Sequence, residues 1–517
     1  MSAVPGVTER ADAAEPVLLA GARLPGADGP VDLVLDAGVV ASISPATSAA
    51  TARSSAGPAL RRIELDGRFV VPGLHDRHVH ASQWAMVSRR LDLASATSAA
   101  AAAVLVAASV ARGDAEVVGF GYRDGLWSDA PTRSGLDAVS GEVPVVLVSA
   151  DLHACWLNSA AARRHGVAGL VGDAGVLRED DCFALVRELD DLADDVLDTW
   201  VGEAAARAAE RGVVGITDYE MRWNRDDWAR RAARGIRSLR VSFGVYTQHL
   251  DRAIVEGLRT GEAVPGTDGL VTVGGYKVIT DGSLNTRTAW CFDPYPGLEG
   301  HDHAFGLATV PYDELVPLMR RAVDAGLVPA VHAIGDRANA RVLDAYEEVG
   351  GPGRRLRGSI EHAQLLRHDD VARFARLGVV ASVQPEHAMD DRDVAELYWP
   401  GRTGRAFMLA ELAAAGVELA LGSDAPVAPL DPWVAIAAAV GRTRDGREPW
   451  HPEQAIEARV ALAASTAGAG HTVRGGQVAD LAVIERDPFA ASADDLRTMP
   501  VAATALAGRF THDTLGA

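Results

Sequence analysis

Six residues stand where apolar runs of strand character end: His78 and His80 in VVPGLHDRHVH, Lys277 in GYKVITDG, His332 in LVPAVHAIG, His362 in RGSIEHA and Asp424 in LALGSDAPV. His78 and His80 are spaced i, i+2, so on an extended segment both rings point to one face and can bind one metal ion together. Imidazole and carboxylate donors suit zinc and similar first-row ions, whereas Cys155, Cys182 and Cys291 are too scattered to build a closed thiolate site. One or two divalent metal ions around an activated water are therefore expected, zinc foremost. Asp424 can bind metal, take the proton of the attacking water and deliver it to a leaving nitrogen, while His332 or His362 stabilises the developing oxyanion. The structural alternative for Asp424 is a helix cap ahead of Pro426 and Pro429.

Lys277 needs a separate account, because a protonated ammonium repels a dication and has no lone pair to offer. Burial lowers a lysine pKa, and the neutral amine can take up carbon dioxide as a carbamate, an anionic oxygen ligand able to bridge two metals. A lysine paired with a substrate anion or with a nearby Asp is equally consistent with the residues.

These side chains need a frame that brings strand ends together. Eight apolar runs read as strands: VVPGLHDRHVH, VVGITDYE, LRVSFGVY, GYKVITDG, LVPAVHAIG, RGSIEHA, VVASVQP and VELALGSD. Helical periodicity lies between most of them, as in YDELVPLMRRAVDAG and HDDVARFARLG. Eight βα units imply a (β/α)8 TIM barrel, which collects the C-terminal ends of its strands at one mouth. Short β segments at both ends of the chain, VLLAGARL, VDLVLDAGVVASI and RRIELDGRFVV on one side and VADLAVI and VAATALAGRFTHD on the other, predict a small β-sandwich domain formed by both chain termini. The expected division is 1–73 and 470–517 for that sandwich and 74–469 for the barrel, with an inserted subdomain after barrel strand 1 over about 82–212.

Bulk properties narrow the classes. The 517 residues carry 48% hydrophobic and 23% charged residues, ordinary values for a globular chain with a large core. A formal net charge of -20 argues against nucleic acid and anionic membranes as partners, since phosphate attraction needs clustered Lys and Arg. The uncharged run Ala94 to Ala111 is mostly alanine with interspersed Ser and Thr, which predicts a packed helix rather than a membrane span. No secretory signal is legible at the N-terminus, and the scattered cysteines fit a reducing cytoplasm. The expected partner is a small-molecule substrate, with homo-oligomers left open.

The ordered motifs resemble the amidohydrolase superfamily, in its amidohydrolase-3 (YtcJ-like) branch. VVPGLHDRHVH is similar to that branch's Pro-Gly-x-x-Asp-x-His-x-His opening, GGYKVITDGSLNTRTA to its Lys-x-x-x-Asp-Gly-Ser segment, and AVHAIGDRAN, SIEHA, ASVQPEH and LGSDAPV to its later strand ends. The resemblance runs from about Val17 to Asp487 and implies a metal-binding barrel and a Lys277 carboxylated on its amine. His75 departs from it, standing where an aliphatic residue is expected. DLHACWLNSAA resembles a segment that helps close the pocket, which makes Asp151, His153 and Asn158 substrate-side candidates; helix capping by Asn158 is the structural alternative. Trp127 reads as a pocket wall or as ordinary core, and Arg287 as a clamp for a substrate carboxylate.

The expected reaction is hydrolysis of a C–N bond in a non-peptide amide, N-acyl compound or cyclic amide. The same metal site could instead serve ester hydrolysis, deamination or isomerisation. A non-catalytic scaffold of this fold has no need of the six site residues, all of which are present.

Overall fold

The computed structural model describes residues 16–46, 60–122, 124, 127–149, 154–351 and 356–516. All eight strand runs become one parallel sheet in chain order. We number them β1 (Leu74–Val79), β2 (Val213–Asp218), β3 (Arg240–Tyr246), β4 (Val271–Ile279), β5 (Pro329–Ala333), β6 (Ser359–His362), β7 (Val380–Val383) and β8 (Leu419–Leu421). The seam between last and first strands is closed at the mouth: Val79 and Ala425 form a parallel bridge, Asp424 N–H donates to His78 O at 2.7 Å, and His80 N–H donates to Ala425 O at 2.8 Å. The protein is thus a (β/α)8 barrel, whose catalytic end is the one where strand C-termini gather.

The helices follow their sequence periodicity. Tyr312–Asp324 buries Leu315, Val316, Met319 and Ala322, the i, i+4, i+7 face that packs on the sheet. His368–Leu377 buries Val371 and Phe374 and stops at Gly378, which adopts the left-handed φ of +67° that a helix C-terminus favours in glycine.

The two chain ends meet directly. Phe69–Pro72 pairs antiparallel with Leu481–Ile484, Val70 opposite Val483, in a four-stranded sheet completed by Val501–Leu506 and Arg509–Asp513. A second four-stranded sheet comprises Val17–Ala22, Val31–Asp36, Val39–Pro45 and Arg61–Glu64. Leu19, Leu33 and Leu35 from one sheet and Leu481, Val483 and Ala503 from the other share a single buried core, the arrangement of a β-sandwich.

By compactness the chain divides into two units, 1–81 with 205–517, and 82–204. The second unit has its own five-stranded sheet, built from Leu91–Asp92, Val117–Tyr122, Val145–Ser149, Ala154–Leu157 and Val176–Arg178. The alanine-rich run forms the helix Ala99–Ala111, capped by the Ser98 side chain, which accepts from Ala101 N–H. Among the described residues no helix is long and apolar enough to cross a membrane.

Candidate metal centre

The mouth of the barrel gathers the side chains that the strand ends deliver. Ligand-capable atoms of His78, His362 and Asp424 lie within 4.8 Å of one another. His80 joins them, with its Nε2 3.2 Å from Asp424 Oδ1, and His78 Nε2 is 3.7 Å from the same oxygen. The rings of His332 and His362 stand 4.4 Å apart, and those of His78 and His362 5.0 Å. Lys277 Nζ sits over the Tyr219 ring, 4.4 Å from its centroid. All six residues therefore converge on one volume.

The chain bends unusually to achieve this. Neighbouring residues of a strand point to opposite sides, yet Glu361 and His362 both serve the mouth. His362 has a φ of +75° and Ala363 of +42°, so the chain turns out of β6 at that point. Asp424 has a φ of +57°. Left-handed non-glycine residues cost energy and persist where packing and hydrogen bonds over-determine them. Here the Asp76 carboxylate supplies part of that restraint, its Oδ1 accepting from Ser423 N–H at 2.9 Å and His78 N–H at 3.2 Å, which ties the end of β8 to β1. Gly422 is required at the same seam, because a Cβ there would lie 2.7 Å from the His78 backbone nitrogen.

A carboxylate not singled out from the sequence orients the first histidine. Glu361 Oε2 is 2.8 Å from His78 Nδ1, and its Oε1 accepts from the Tyr219 hydroxyl at 3.2 Å. Burial alone would push Glu361 up, but the hydrogen bond from His78, together with the Lys277 charge, outweighs it and brings it down to about 2. Burial and then the Lys277 charge push His78 the other way, towards the neutral ring. A neutral His78 that donates its Nδ1–H to Glu361 leaves the Nε2 lone pair facing Asp424, the tautomer a metal ligand needs. The only sequence signal for Glu361 was its place beside His362 in SIEHA.

Burial is the first cause of most other shifts at the mouth. It pushes His332 down to about 3, helped by the Lys277 charge, and holds His362 well below its ordinary value. It lowers Lys277 to about 8. Asp424 would be raised by burial, but the surrounding histidines, His78 foremost, hold it well below the ordinary range. Asp281, pushed up to about 7 by burial, accepts from the N–H groups of Ile334, Gly335 and Trp290, and its Oδ1 is 3.5 Å from His332 Nε2.

The donor set fits a divalent ion. Among the described residues, four buried polar atoms at the mouth have no hydrogen-bond partner: His80 Nδ1, Lys277 Nζ, His332 Nε2 and His362 Nδ1. Orphaned buried nitrogens cost stability unless something engages them. Neutral imidazoles beside an ionised carboxylate are what zinc-type ions take up.

The remaining predicted positions are distributed differently. Asp151 and His153 lie outside the described residues. Asn158 is fully buried; its Oδ1 accepts from Val145 N–H and Ala161 N–H, and its Nδ2 donates to Ser140 Oγ and Val143 O. These bonds use both donors and both acceptor positions of the amide, so the substrate-binding role read for Asn158 gives way to a structural one within its own unit. Trp127 is partly buried: it donates to Ala96 O at 3.2 Å and packs with Tyr122 and Trp156 against that unit's core. Arg287, at a φ of +56°, holds its guanidinium over the Tyr398 ring, 5.3 Å from the centroid. His75 does not reach the mouth: its ring covers Gly215, where a Cβ would fall 2.3 Å from His75 Cε1.

A (β/α)8 barrel with a His/Asp cluster at the C-terminal ends of its strands defines the class of metal-site hydrolases. The sequence model of the amidohydrolase family (Amidohydro_3) matches residues 61–512, and the chain belongs to that family. It is 27% identical to YtcJ of Bacillus subtilis (strain 168) over 501 residues, 88% of this chain and 91% of that one. It is 25% identical to the N-substituted formamide deformylase of Arthrobacter pascens over 527 residues, 90% and 92% of the two chains. Its fold is similar to that of a metal-dependent hydrolase from Pyrococcus horikoshii OT3, with a TM-score of 0.75, 24% identity and coverage of 93% of this chain and 99% of that one.

Proposed function

We propose that the protein hydrolyses a C–N bond of a small non-peptide amide, N-acyl compound or cyclic amide, using one or two divalent ions, zinc foremost, at the barrel mouth. The observation that carries this reading is the convergence of His78, His80, His332, His362 and Asp424, with orphaned ring nitrogens, on one volume. His78, His80, His332, His362 and Asp424 would hold the metal. Lys277 would join them once its neutral amine has added to carbon dioxide, forming an N–C bond and releasing one proton; its burial and lack of a hydrogen-bond partner support that step. When bound, the ion lowers the pKa of water and polarises the substrate carbonyl.

The chain supplies the rest. Asp424, kept ionised by the surrounding histidines, accepts the proton of the attacking water at a carboxylate oxygen and returns it to the leaving nitrogen. Glu361 fixes the tautomer and orientation of His78. Arg287 clamps a carboxylate when the substrate is an N-acyl amino acid. The cleavage of an amide C–N bond by a formamide deformylase that matches nearly the whole chain supports this bond class over ester hydrolysis, deamination or isomerisation.

The test is a hydrolysis screen of N-substituted formamides, N-acyl amino acids, hydantoin-like rings and esters, with metal-loaded and chelator-treated protein and with Asp424→Asn. Amine and carboxylate products that disappear on chelation and in Asp424→Asn are expected, the latter by about 10²-fold or more. Chelator-resistant turnover, or full activity in Asp424→Asn, would sink the reading.

A further inference from the structure

The inserted unit holds a pair of reactive side chains that the proposed hydrolysis does not use. Its strand Ala154–Leu157 lies between Val145–Ser149 and Val176–Arg178, with Cys155 opposite Val148 on one side and Leu177 on the other. Alternation along that strand sends Ala154 and Trp156 into one buried cluster and Cys155 and Leu157 into another. The chain passes from Val176–Arg178 directly into the helix Glu179–Asp190, whose Cys182 and Leu185, one turn apart, enter the second cluster. Cys155 Sγ and Cys182 Sγ thereby meet at 2.9 Å, with both residues fully buried. That separation is well inside the roughly 3.5–4.0 Å at which even two carbon atoms rest, and about 1 Å longer than a sulfur–sulfur bond. Strand pairing fixes Cys155 from both sides, and the helix that carries Cys182 continues one of the pairing strands, so little backbone movement separates contact from bond. The other members of the cluster, among them Val148, Leu157, Leu177 and Leu185, are apolar and offer the sulfurs no competing partner.

We infer that Cys155 and Cys182 are a site of covalent modification: they form a disulfide when the chain folds in the presence of a small disulfide oxidant such as oxidised glutathione, and the folded unit then seals the bond from reductants. One cysteine thiolate attacks the oxidant, breaking its S–S bond and releasing one glutathione thiol; the other then attacks the mixed disulfide, forming the Cys155–Cys182 bond and releasing the second. Two electrons and two protons thus pass from the protein thiols to two molecules of glutathione. Burial, reinforced by the neighbouring Cys182, pushes the Cys155 thiol up, so the folded unit offers little of the thiolate that exchange needs, and oxidation accompanies folding. The bond closes a loop between residues 27 positions apart, and a cross-link of that kind acts mainly by restraining the unfolded chain. In a reducing compartment the pair stays as thiols, so the covalent state of the unit records the conditions under which it folded.

The experiment is refolding of the full-length protein from urea in a buffer of reduced and oxidised glutathione, followed by intact mass measurement and, after digestion, peptide mapping. A chain lighter by two hydrogen atoms is expected, with the peptides of Cys155 and Cys182 joined and Cys291, which lies in the other unit, still a thiol when alkylated in urea. Dithiothreitol should then open the bond about tenfold or more slowly in the folded protein than in urea, because the folded unit must open locally to admit it. Where refolding yields too little material, expression in an oxidising secretory compartment supplies protein for the same readouts. An unchanged mass, glutathione left on Cys155 or Cys182, a link that involves Cys291 or a second chain, or equal reduction rates with and without urea would each overturn the inference. None of these readouts uses turnover or bound metal, so their outcome is separate from that of the proposed hydrolysis.

Discussion

Glu361 Oε2 lies 2.8 Å from His78 Nδ1, and that one contact decides which nitrogen of His78 faces Asp424. The two residues come from non-adjacent barrel strands, β6 and β1, three steps apart around the closed sheet, and are 283 positions apart in the chain. Carboxylates that orient a ligating imidazole are worth about 10–100-fold in metal affinity or activity. Glu361→Ala is therefore expected to lower metal content and kcat together within about that range. Elemental analysis after dialysis, paired with steady-state rates, checks it; full metal occupancy with unchanged kcat would remove Glu361 from the site.

Gly422→Ala should destabilise the seam between β8 and β1. The new Cβ would meet the His78 backbone nitrogen at 2.7 Å, and backbone there is tied on both sides by Asp76 and by the Asp424 N–H. Overpacking of this kind costs about 1–3 kcal/mol. A fall in Tm with weakened metal binding is expected; a variant that melts like the parent would show that the seam yields without cost.

Arg287→Met tests the substrate clamp. KM for N-acyl amino acids should rise by about tenfold or more, as loss of a charge-assisted pair predicts, while uncharged amides keep their KM. Equal effects on charged and uncharged substrates would assign Arg287 to loop structure, where its stacking on Tyr398 already gives it a role.

Acid response follows from His75. Burial, and then the charge of Arg77, lower it from 6.5 to about 4 in the folded chain. Above pH 6.5 the ring is neutral folded or unfolded; below that the unfolded chain binds the proton first, so this contribution to stability is lost as pH falls from 6.5 to 4. Asp76, raised by burial from 3.8 to about 7, works in the opposite sense: its contribution is full below 3.8 and is lost as pH rises to 7. Total stability thus hides the histidine, and the difference between variants reveals it. His75→Leu should gain stability relative to the parent as pH falls through the His75 window, read from urea midpoints of chelator-treated protein at pH 7, 6 and 5. A difference that stays flat across that range would contradict the assignment.

The residues that could ligate a metal, and the strands that carry them, were legible because both signals are local. Alternating apolar runs ending in His, Lys or Asp specify a strand and the residue at its end, and eight such runs separated by helical periodicity leave few architectures other than a closed parallel barrel. That both chain ends would complete one small β domain was anticipated because neither terminal segment could bury a core alone; that Phe69–Pro72 pairs with Leu481–Ile484 came from the structure. What the chain order could not reveal were relations between residues far apart in it. Glu361 counts as a ligand-orienting group only because the closed sheet brings β6 within reach of β1, and the positive φ of His362 lets two adjacent residues serve one mouth. Asn158, read either as substrate-side or as a helix cap, is assigned to structure only by the four hydrogen bonds it makes within the inserted unit. Sequence alone determined the donor types and their strand positions, since these depend on side-chain chemistry and local periodicity. Tertiary structure decided tautomer, charge state and which polar atoms are left without partners, since each of those depends on what a buried atom meets across the fold.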